Sequence, residues 1–116
     1  MKIDDSDTTI KDLTDLYYAF SKERNWEEGY NPSFLTKSII IEAAELLEHF
    51  QKSDGKASMD KMQDPQAKQA VAWEMVDVLY YLLMLSRILE IDVVQSSKEK
   101  LENLASRYTA KRIKTS

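Results

Sequence analysis

The chain has 116 residues, of which 43% are hydrophobic and 31% charged, a balance typical of one folded domain rather than a disordered segment. A net charge of −4 argues against a general binder of the nucleic-acid backbone. The chain has no cysteine, which excludes disulfides, thiolate zinc sites, iron–sulfur clusters and a cysteine nucleophile, and its two glycines and two prolines are too few for a turn-rich all-β fold.

The N-terminal stretch MKIDDSDTT is acidic and lacks the apolar run of a secretory signal. The longest apolar run of the chain is shorter than a bilayer span and contains Asp77. We therefore expect a soluble, cytoplasmic protein that has neither a membrane nor a nucleic acid as partner.

Four segments show the spacing of apolar residues, at threes and fours, that predicts an amphipathic helix. We expect these helices at about residues 9–24, 32–52, 65–89 and 93–108. Asn31 before Pro32 is a cap and first-turn pair for the second helix, Asp64 opens the third, and Asp92 can cap the fourth.

The polar segment KSDGKASMDKMQD, residues 52–64, contains Gly55 and is predicted to be a surface loop. The tail KRIKTS, residues 111–116, is expected to fray. The sequence contains no internal repeat and no sign of a second domain. It therefore predicts an all-α, four-helix-bundle-like fold in a single domain, residues 1–116, with its core over about residues 9–108.

The third predicted helix is apolar on nearly every side, which indicates that protein surrounds it. The second predicted helix, FLTKSIIIEAAELLEHF, is nearly as apolar. A chain this short cannot easily bury both helices by itself, and large exposed apolar patches usually form interfaces. We therefore expect a homodimer, or a homotetramer built as a dimer of dimers, with helices packed across subunits.

Acidic residues interrupt both apolar helices. Glu74 and Asp77 are three residues apart and share one side of the third helix. Glu42 and Glu45 have the same spacing at the edge of the apolar arc of the second helix, and Glu48 lies further toward solvent. If the two helices pack as antiparallel neighbours, the first four of these acids converge.

Convergence of four carboxylates has an energetic consequence. Two like charges about 5 Å apart, at an effective dielectric constant near 20, repel by roughly 3 kcal/mol. A bare cluster would therefore cost a large fraction of the stability of an ordinary domain. Either some of the acids are protonated or a cation lies among them. Oxygen ligands favour hard cations, so Mg²⁺ is the first candidate and Mn²⁺ the second, and such sites typically engage substrate phosphates.

Two alternatives to this metal site are open. A di-iron carboxylate bundle needs a Glu-x-x-His pair on each of two helices, and it is disfavoured because His49 is the only histidine. A non-enzymatic helical oligomerisation module would instead pair the acids with Lys or Arg side chains across an interface.

The motif IEAAELLEHFQ, followed by WEMVDVLYYLLML, resembles the MazG-type all-α nucleoside triphosphate pyrophosphohydrolases. Their signature is E-x-x-E, a spacer, and then E-x-x-D. Here the first half is Glu42 and Glu45, the second is Glu74 and Asp77, and 28 residues separate them. The upstream segment FSKERNWEEGYNPSFL is similar to that of the smaller dCTP-pyrophosphatase-like branch. The resemblance covers roughly residues 10–108.

This resemblance implies that Glu42, Glu45, Glu74 and Asp77 are Mg²⁺ ligands. It also implies hydrolysis of a nucleoside triphosphate to the monophosphate and pyrophosphate, with a preference for deoxynucleotides such as dCTP and a house-cleaning role. Glu42 or Glu45 is the candidate catalytic base that activates water. Phosphohydrolysis of another pyrophosphate-containing molecule by the same site is a further possibility.

The resemblance also implies substrate-binding residues. It places Trp26 against the base, Tyr81 in the nucleotide site and Lys100 at the phosphates. A loop aromatic such as Trp26 suits stacking on a base, although packing between helices is the alternative for it. Tyr81 shares the face of the acids, where its hydroxyl has a polar environment.

The sequence departs from the family pattern at positions around the substrate. Tyr17 and Tyr30 stand where histidines are often found, and Lys52 stands where a tryptophan is common. Asn103 precedes by one position the site of an expected asparagine, which is Leu104 here. Tyr17, Tyr30 and Asn103 are therefore candidate substrate-binding residues, and the departures concern base recognition rather than metal chemistry.

Overall fold

The computed structural model describes residues 3–108, and all regular structure in that range is helical. The helices are α1 (Ile10–Glu23), α2 (Pro32–Glu48), α3 (Gly55–Lys61), α4 (Pro65–Ile88) and α5 (Val93–Arg107), with a 3₁₀ turn, Glu27–Gly29, between α1 and α2. The all-α class predicted from the sequence is confirmed. The tail that was predicted to fray, residues 111–116, lies outside the described residues.

Side-chain caps begin the long helices where the sequence predicted them. The Asn31 side chain accepts a hydrogen bond of 2.8 Å from the backbone N–H of Phe34 at the start of α2. The carboxylates of Asp64 and Asp92 accept in the same way from the first turns of α4 and α5. Each cap satisfies a backbone donor that the helix itself leaves without a partner, and so defines the first turn.

The sequence prediction was wrong in two places between α2 and α4. Helix α2 ends at Glu48 rather than near residue 52, and the segment predicted to be a surface loop contains helix α3. Asp54 caps α3 by accepting a 2.8 Å hydrogen bond from the N–H of Ala57. A helix of seven residues contains too few periodic apolar positions to be distinguished from a loop by pattern.

The contact between α2 and α4 is the centre of the fold, and the two helices run antiparallel. Near the start of α2, the ring of Phe34 contacts that of Tyr81, which lies late in α4. Near the end of α2, Glu45 approaches Glu74, which lies early in α4. This direction is the one that the convergence of the acids requires.

The fully buried side chains among residues 3–108 lie on α1, α2 and α4. Among residues 3–108 the fully buried apolar side chains are Leu35, Leu83 and Met84. Helix α1 packs against α4 on another side, where Arg87 forms a 2.9 Å ion pair with Asp15. Three buried apolar side chains form a small core for a domain of this length.

Helix α5 lies outside this core. Of its residues only Leu104 is partly buried, and Leu101 is 65% exposed. Within the part of the chain that the structure describes, no helix has both the length and the apolar character that crossing a bilayer requires.

We predict that Leu35→Ala lowers the free energy of unfolding by about 2–5 kcal/mol, because the side chain is fully buried between α2 and α4. Urea denaturation at a fixed protein concentration measures this loss. The matched control is Met59→Ala on α3, where the side chain is 71% exposed and the expected change is within about 0.5 kcal/mol. Equal losses in the two variants would contradict the assignment of the core.

Candidate metal-binding site

Acidic side chains of α2 and α4 meet where the two helices pack. Glu42, Glu45 and Glu74 each bring one carboxylate oxygen within 4.8 Å of the others, a separation that one cation can bridge. Asp77, one turn after Glu74, lies outside this group of three but acts electrostatically on both Glu42 and Glu74. We call these four residues the acid cluster.

Two carboxyl groups of the acid cluster, those of Glu42 and Glu74, hold protons more tightly than usual. Burial, followed by a hydrogen bond with Glu45, raises the pKa of Glu42 to about 7. Burial, followed by the charge of Glu45, also raises the pKa of Glu74. Both pKa values are raised, as expected where negative charges are close together and partly shielded from water. A bound cation would instead lower these pKa values.

One oxygen of Glu74 has no partner. Its Oε2 atom is buried and makes no hydrogen bond among the described residues. A buried carboxylate oxygen without a donor is costly, because the lost hydration is not replaced. A cation held between Glu42, Glu45 and Glu74 would supply the missing interaction, so the donor set fits a hard divalent metal.

Lys and Arg side chains within residues 3–108 form no ion pair with the acid cluster. Among residues 3–108, none of the Lys or Arg ion pairs involves Glu42, Glu45, Glu74 or Asp77. The oligomerisation-module alternative would pair these acids with Lys or Arg of another subunit, and it stays a prediction. The basic group that acts on Glu74 is His49, and a single histidine does not supply the two Glu-x-x-His pairs of a di-iron bundle.

Aromatic side chains adjoin the acid cluster on the same pair of helices. Burial, followed by the charge of Glu42, raises the pKa of Tyr81. The Tyr81 ring lies edge-on to Phe34, with 6.5 Å between the ring centroids. Tyr81 therefore lies between the acids and an aromatic region, and its role in nucleotide binding stays a prediction.

The aromatic region contains two other predicted residues and one that the sequence analysis missed. The hydroxyl oxygens of Tyr30 and Tyr80 are 2.6 Å apart, and the ring of Tyr17 lies 5.1 Å from that of Tyr80. Tyr80 was not predicted because the helical wheel aligns Tyr81, and not Tyr80, with Asp77. The sequence did contain one indication of this contact. It has two consecutive tyrosines, at 80 and 81, and two further tyrosines, at 17 and 30, where the family often has histidine.

Trp26 owes its position to the way α1 ends. Asn25 has a left-handed backbone (φ 58°), and the N–H of Trp26 donates to the carbonyl of Ser21 at 3.0 Å. This is the Schellman arrangement, in which the residue after the left-handed position packs back on the helix. The Trp26 ring accordingly lies 5.7 Å from that of Phe20, yet 51% of Trp26 remains exposed. Trp26 therefore packs against α1 and still leaves part of its aromatic ring open to solvent.

Lys100 and Asn103 lie on α5, and both are exposed. The Asn103 side chain is 3.5 Å from the guanidinium of Arg107, one turn later on the same helix. No hydrogen bond or ion pair among residues 3–108 joins either side chain to the acid cluster.

The chain is similar in sequence and in fold to known proteins. Residues 37–115, which contain the whole acid cluster, match the model of the MazG-like family. The chain is 33% identical over 101 residues to dCTP pyrophosphatase 1 of Rattus norvegicus and 32% identical over 103 residues to dCTP pyrophosphatase 1 of Homo sapiens. A crystal structure of a pyrophosphatase from Archaeoglobus fulgidus superposes with a TM-score of 0.81 at 33% identity, covering 93% of this chain and 99% of that one.

The two mammalian alignments cover 86% and 88% of this chain but only 59% and 60% of the relatives. The chain thus spans about three fifths of the length of these curated relatives. It spans nearly all of the archaeal structure.

We predict that the acid cluster makes the metal-free protein less stable as pH rises from about 4.5 to about 7. Glu42 titrates near pH 7 when folded and near its ordinary value of 4.5 when unfolded, so the folded state binds more protons within this interval and loses that advantage as pH rises. Melting temperatures measured in EDTA across this interval should fall less steeply for Glu42→Gln than for the wild type. Glu48→Gln, at an exposed acid of the same helix, should keep the wild-type slope, and an equal slope in all three proteins would refute the prediction.

Proposed function

We propose that this chain, which belongs to the MazG-like family, is a divalent-metal-dependent nucleotide pyrophosphohydrolase. The observation that carries the proposal is the meeting of carboxylates from two helices with no Lys or Arg partner among residues 3–108 and with one buried oxygen of Glu74 unsatisfied. Such a site needs a cation, and a metal held by carboxylates is suited to engaging phosphates. The catalytic unit we propose is a single domain over residues 1–116.

The proposed substrate is a nucleoside triphosphate, which water cleaves to a nucleoside monophosphate and pyrophosphate. Two mammalian relatives bear the name dCTP pyrophosphatase, and this supports a deoxynucleotide, dCTP first, as the preferred substrate. The removal of unwanted deoxynucleotides is the corresponding house-cleaning role. The cytoplasm is the compartment in which we propose that it acts.

The proposed metal is Mg²⁺, with Mn²⁺ as a substitute, since both accept all-oxygen ligands. Glu42, Glu45 and Glu74 would hold it, with Asp77 completing the set. When bound, the cation would neutralise charge on the oxygens of the triphosphate, including the charge that develops on them when water attacks the phosphorus. A chain with a net charge of −4 needs such a bridge to bind a polyanion.

Glu42 and Glu45 are the proposed general bases. Their carboxylate oxygens meet at the proposed metal site, where a water molecule that attacks the phosphate would also lie. Only one of the two carboxylates needs to take the proton, which leaves the other free to act as a ligand.

The base and sugar are proposed to occupy the aromatic region beside the acid cluster. Trp26 offers its exposed face for stacking, and Tyr81 offers a hydroxyl next to the acids. Tyr17 and Tyr30 line the same region, where they replace the histidines common in the family. Lys100 and Asn103 are proposed as phosphate-binding residues of α5.

We predict that the protein releases pyrophosphate from deoxynucleoside triphosphates with Mg²⁺ and has no activity in EDTA. The assay separates pyrophosphate, orthophosphate and the nucleotide product over the four deoxynucleotides, the four ribonucleotides and a nucleotide sugar, which represents other pyrophosphate-containing molecules. Asp77→Asn and Glu45→Gln should each lower kcat/KM by about 100-fold or more, since even residues that only support metal ligands typically cost 10- to 100-fold.

The matched control for these variants is Glu48→Gln, which removes an exposed acid of α2 outside the cluster and should leave turnover unchanged. Mg²⁺ should also raise the melting temperature of the wild type more than that of Asp77→Asn, because binding to the folded state stabilises it. Orthophosphate as the first product would overturn the reaction class. Full Mg²⁺-dependent turnover by Asp77→Asn would overturn the site.

A homo-oligomer, either a dimer or a dimer of dimers, is proposed as the working state. Large apolar side chains are exposed on three helices, with exposed fractions of 69% for Ile40 on α2, 65% for Trp73 on α4 and 65% for Leu101 on α5. Apolar surface spread over three helices is more than a monomer ordinarily leaves in water, and a second copy would cover it.

We predict that sedimentation velocity shows a dimer or tetramer of the wild type at micromolar concentration. Ile40→Glu should raise the concentration needed for half-assembly by at least about tenfold, because it buries a charge in the proposed interface. The double variant Lys11→Gln/Lys56→Gln, which changes exposed charged residues on α1 and α3 rather than on the three helices with exposed apolar side chains, should assemble like the wild type. A monomeric wild type would refute the proposal.

A further inference from the structure

Four aromatic side chains form a closed ring of contacts beside the acid cluster. Tyr30 stacks on Phe34, Phe34 lies edge-on to Tyr81, Tyr81 lies edge-on to Tyr80, and Tyr80 returns edge-on to Tyr30, with centroid distances between 5.3 and 6.5 Å. We call these residues the aromatic cluster. Tyr30 belongs to the segment before α2, Phe34 to the first turn of α2, and the two other tyrosines to α4. The cluster therefore joins three parts of the chain.

Tyr80 adds to this cluster an interaction that a phenylalanine would not make. Its hydroxyl oxygen is 2.6 Å from that of Tyr30, and both residues are partly buried. The Ser21 hydroxyl, on a fully buried residue of α1, also interacts with Tyr30. A hydroxyl group that is partly shielded from water needs a hydrogen-bond partner. Here the hydroxyls of Tyr30 and Tyr80 serve as partners for each other.

Tyr30 ends the segment that carries Trp26. From the end of α1 this segment makes only short-range backbone bonds: Trp26 donates to Ser21, Gly29 donates to the carbonyl of Trp26, and Tyr30 donates to Glu27. These bonds shape the segment but do not connect it to α4. The hydrogen bond between the hydroxyls of Tyr30 and Tyr80 is the polar connection to α4, beside the edge-on contact of the two rings.

We infer that Tyr80 is a positioning residue that fixes the Trp26 segment, through its hydrogen bond to Tyr30, on the helix that carries Glu74 and Asp77. The inference rests on the proposed function, in which Trp26 stacks on the base and the acids hold the triphosphate through a metal. The base and the triphosphate belong to one substrate molecule, so the residues that bind them must lie at a fixed distance from each other. Fixing the segment on α4 sets that separation before substrate arrives.

This role differs from that of a packing residue. The ring contacts of Tyr80 with Tyr17, Tyr30 and Tyr81 would all be kept by a phenylalanine. Removal of the hydroxyl should therefore release the segment while leaving the helices and the acid cluster in place. Loss of segment order affects binding of the base, and so KM, more than the chemical step.

The test compares Tyr80→Phe and Tyr30→Phe with the wild type in two measurements. Hydrogen exchange should accelerate at the amides of Trp26, Gly29 and Tyr30 in both variants, with no change in α2 or α4. KM for the preferred deoxynucleotide should rise about two- to tenfold, the range that one net hydrogen bond supports, with kcat within about twofold of the wild type. The double variant should be no worse than either single variant, since both remove the same bond.

Tyr18→Phe is the matched control, because it removes a tyrosine hydroxyl from α1 on a ring that packs under Arg87 instead. It should change neither exchange nor KM. Unchanged exchange in Tyr80→Phe, or an unchanged KM, would overturn the inference while an active wild type upholds the proposed function. A wild type that releases no pyrophosphate from any nucleotide would overturn the proposed function, and the inference with it.

Discussion

The antiparallel packing of α2 on α4 brings Glu45 and Glu74, which are far apart in sequence, into one small volume together with Glu42. Two forces oppose each other there. Burial of Leu35, Leu83 and Met84 holds the helices together, whereas repulsion between carboxylates at their shared edge pushes the helices apart. The pKa values of Glu42 and Glu74 are raised because these carboxyl groups are partly buried and lie close to other acids. A site that is unfavourable by itself, within an otherwise consistent fold, is typical of function.

The same helix pair also builds the aromatic region, and this proximity affects the electrostatics. The rings of Tyr81 and Phe34 contact each other on this helix pair, and burial is the first cause of the raised pKa values of both Glu42 and Tyr81. Lower local polarity strengthens every charge interaction within the site, both the repulsion between acids and the attraction to a cation. The aromatic cluster and the acid cluster are therefore neighbours on one helix pair, and they interact electrostatically through Tyr81.

The exposed apolar surface would link the stability of this chain to its proposed self-association. Helix α5 is exposed along nearly its whole length, and Ile40, Trp73 and Leu101 present apolar side chains to water. The fully buried apolar core of residues 3–108 is small in comparison. For a protein of this kind the free energy of folding and the free energy of subunit association are difficult to separate, because the same apolar surface contributes to both.

Local features of the chain could be predicted from the sequence by itself. The caps at Asn31, Asp64 and Asp92 depend on neighbours two or three residues away, and the pairing of acids along each helix depends only on helical periodicity. These features were sufficient for the all-α class, for the four long helices and for the acids as candidate ligands. They were insufficient for α3, whose seven residues carry too little periodicity, and for the end of α2.

Distances between helices were decided by the tertiary structure. Whether Asp77 joins Glu42, Glu45 and Glu74 or lies beside them depends on the rotation and register of α2 against α4, which long-range packing sets and local pattern does not encode. The partnership of Tyr80 with Tyr30, across fifty positions of sequence, has the same origin. Periodicity specifies the side of a helix on which a residue lies, but the residue it meets there is specified only when the whole chain packs.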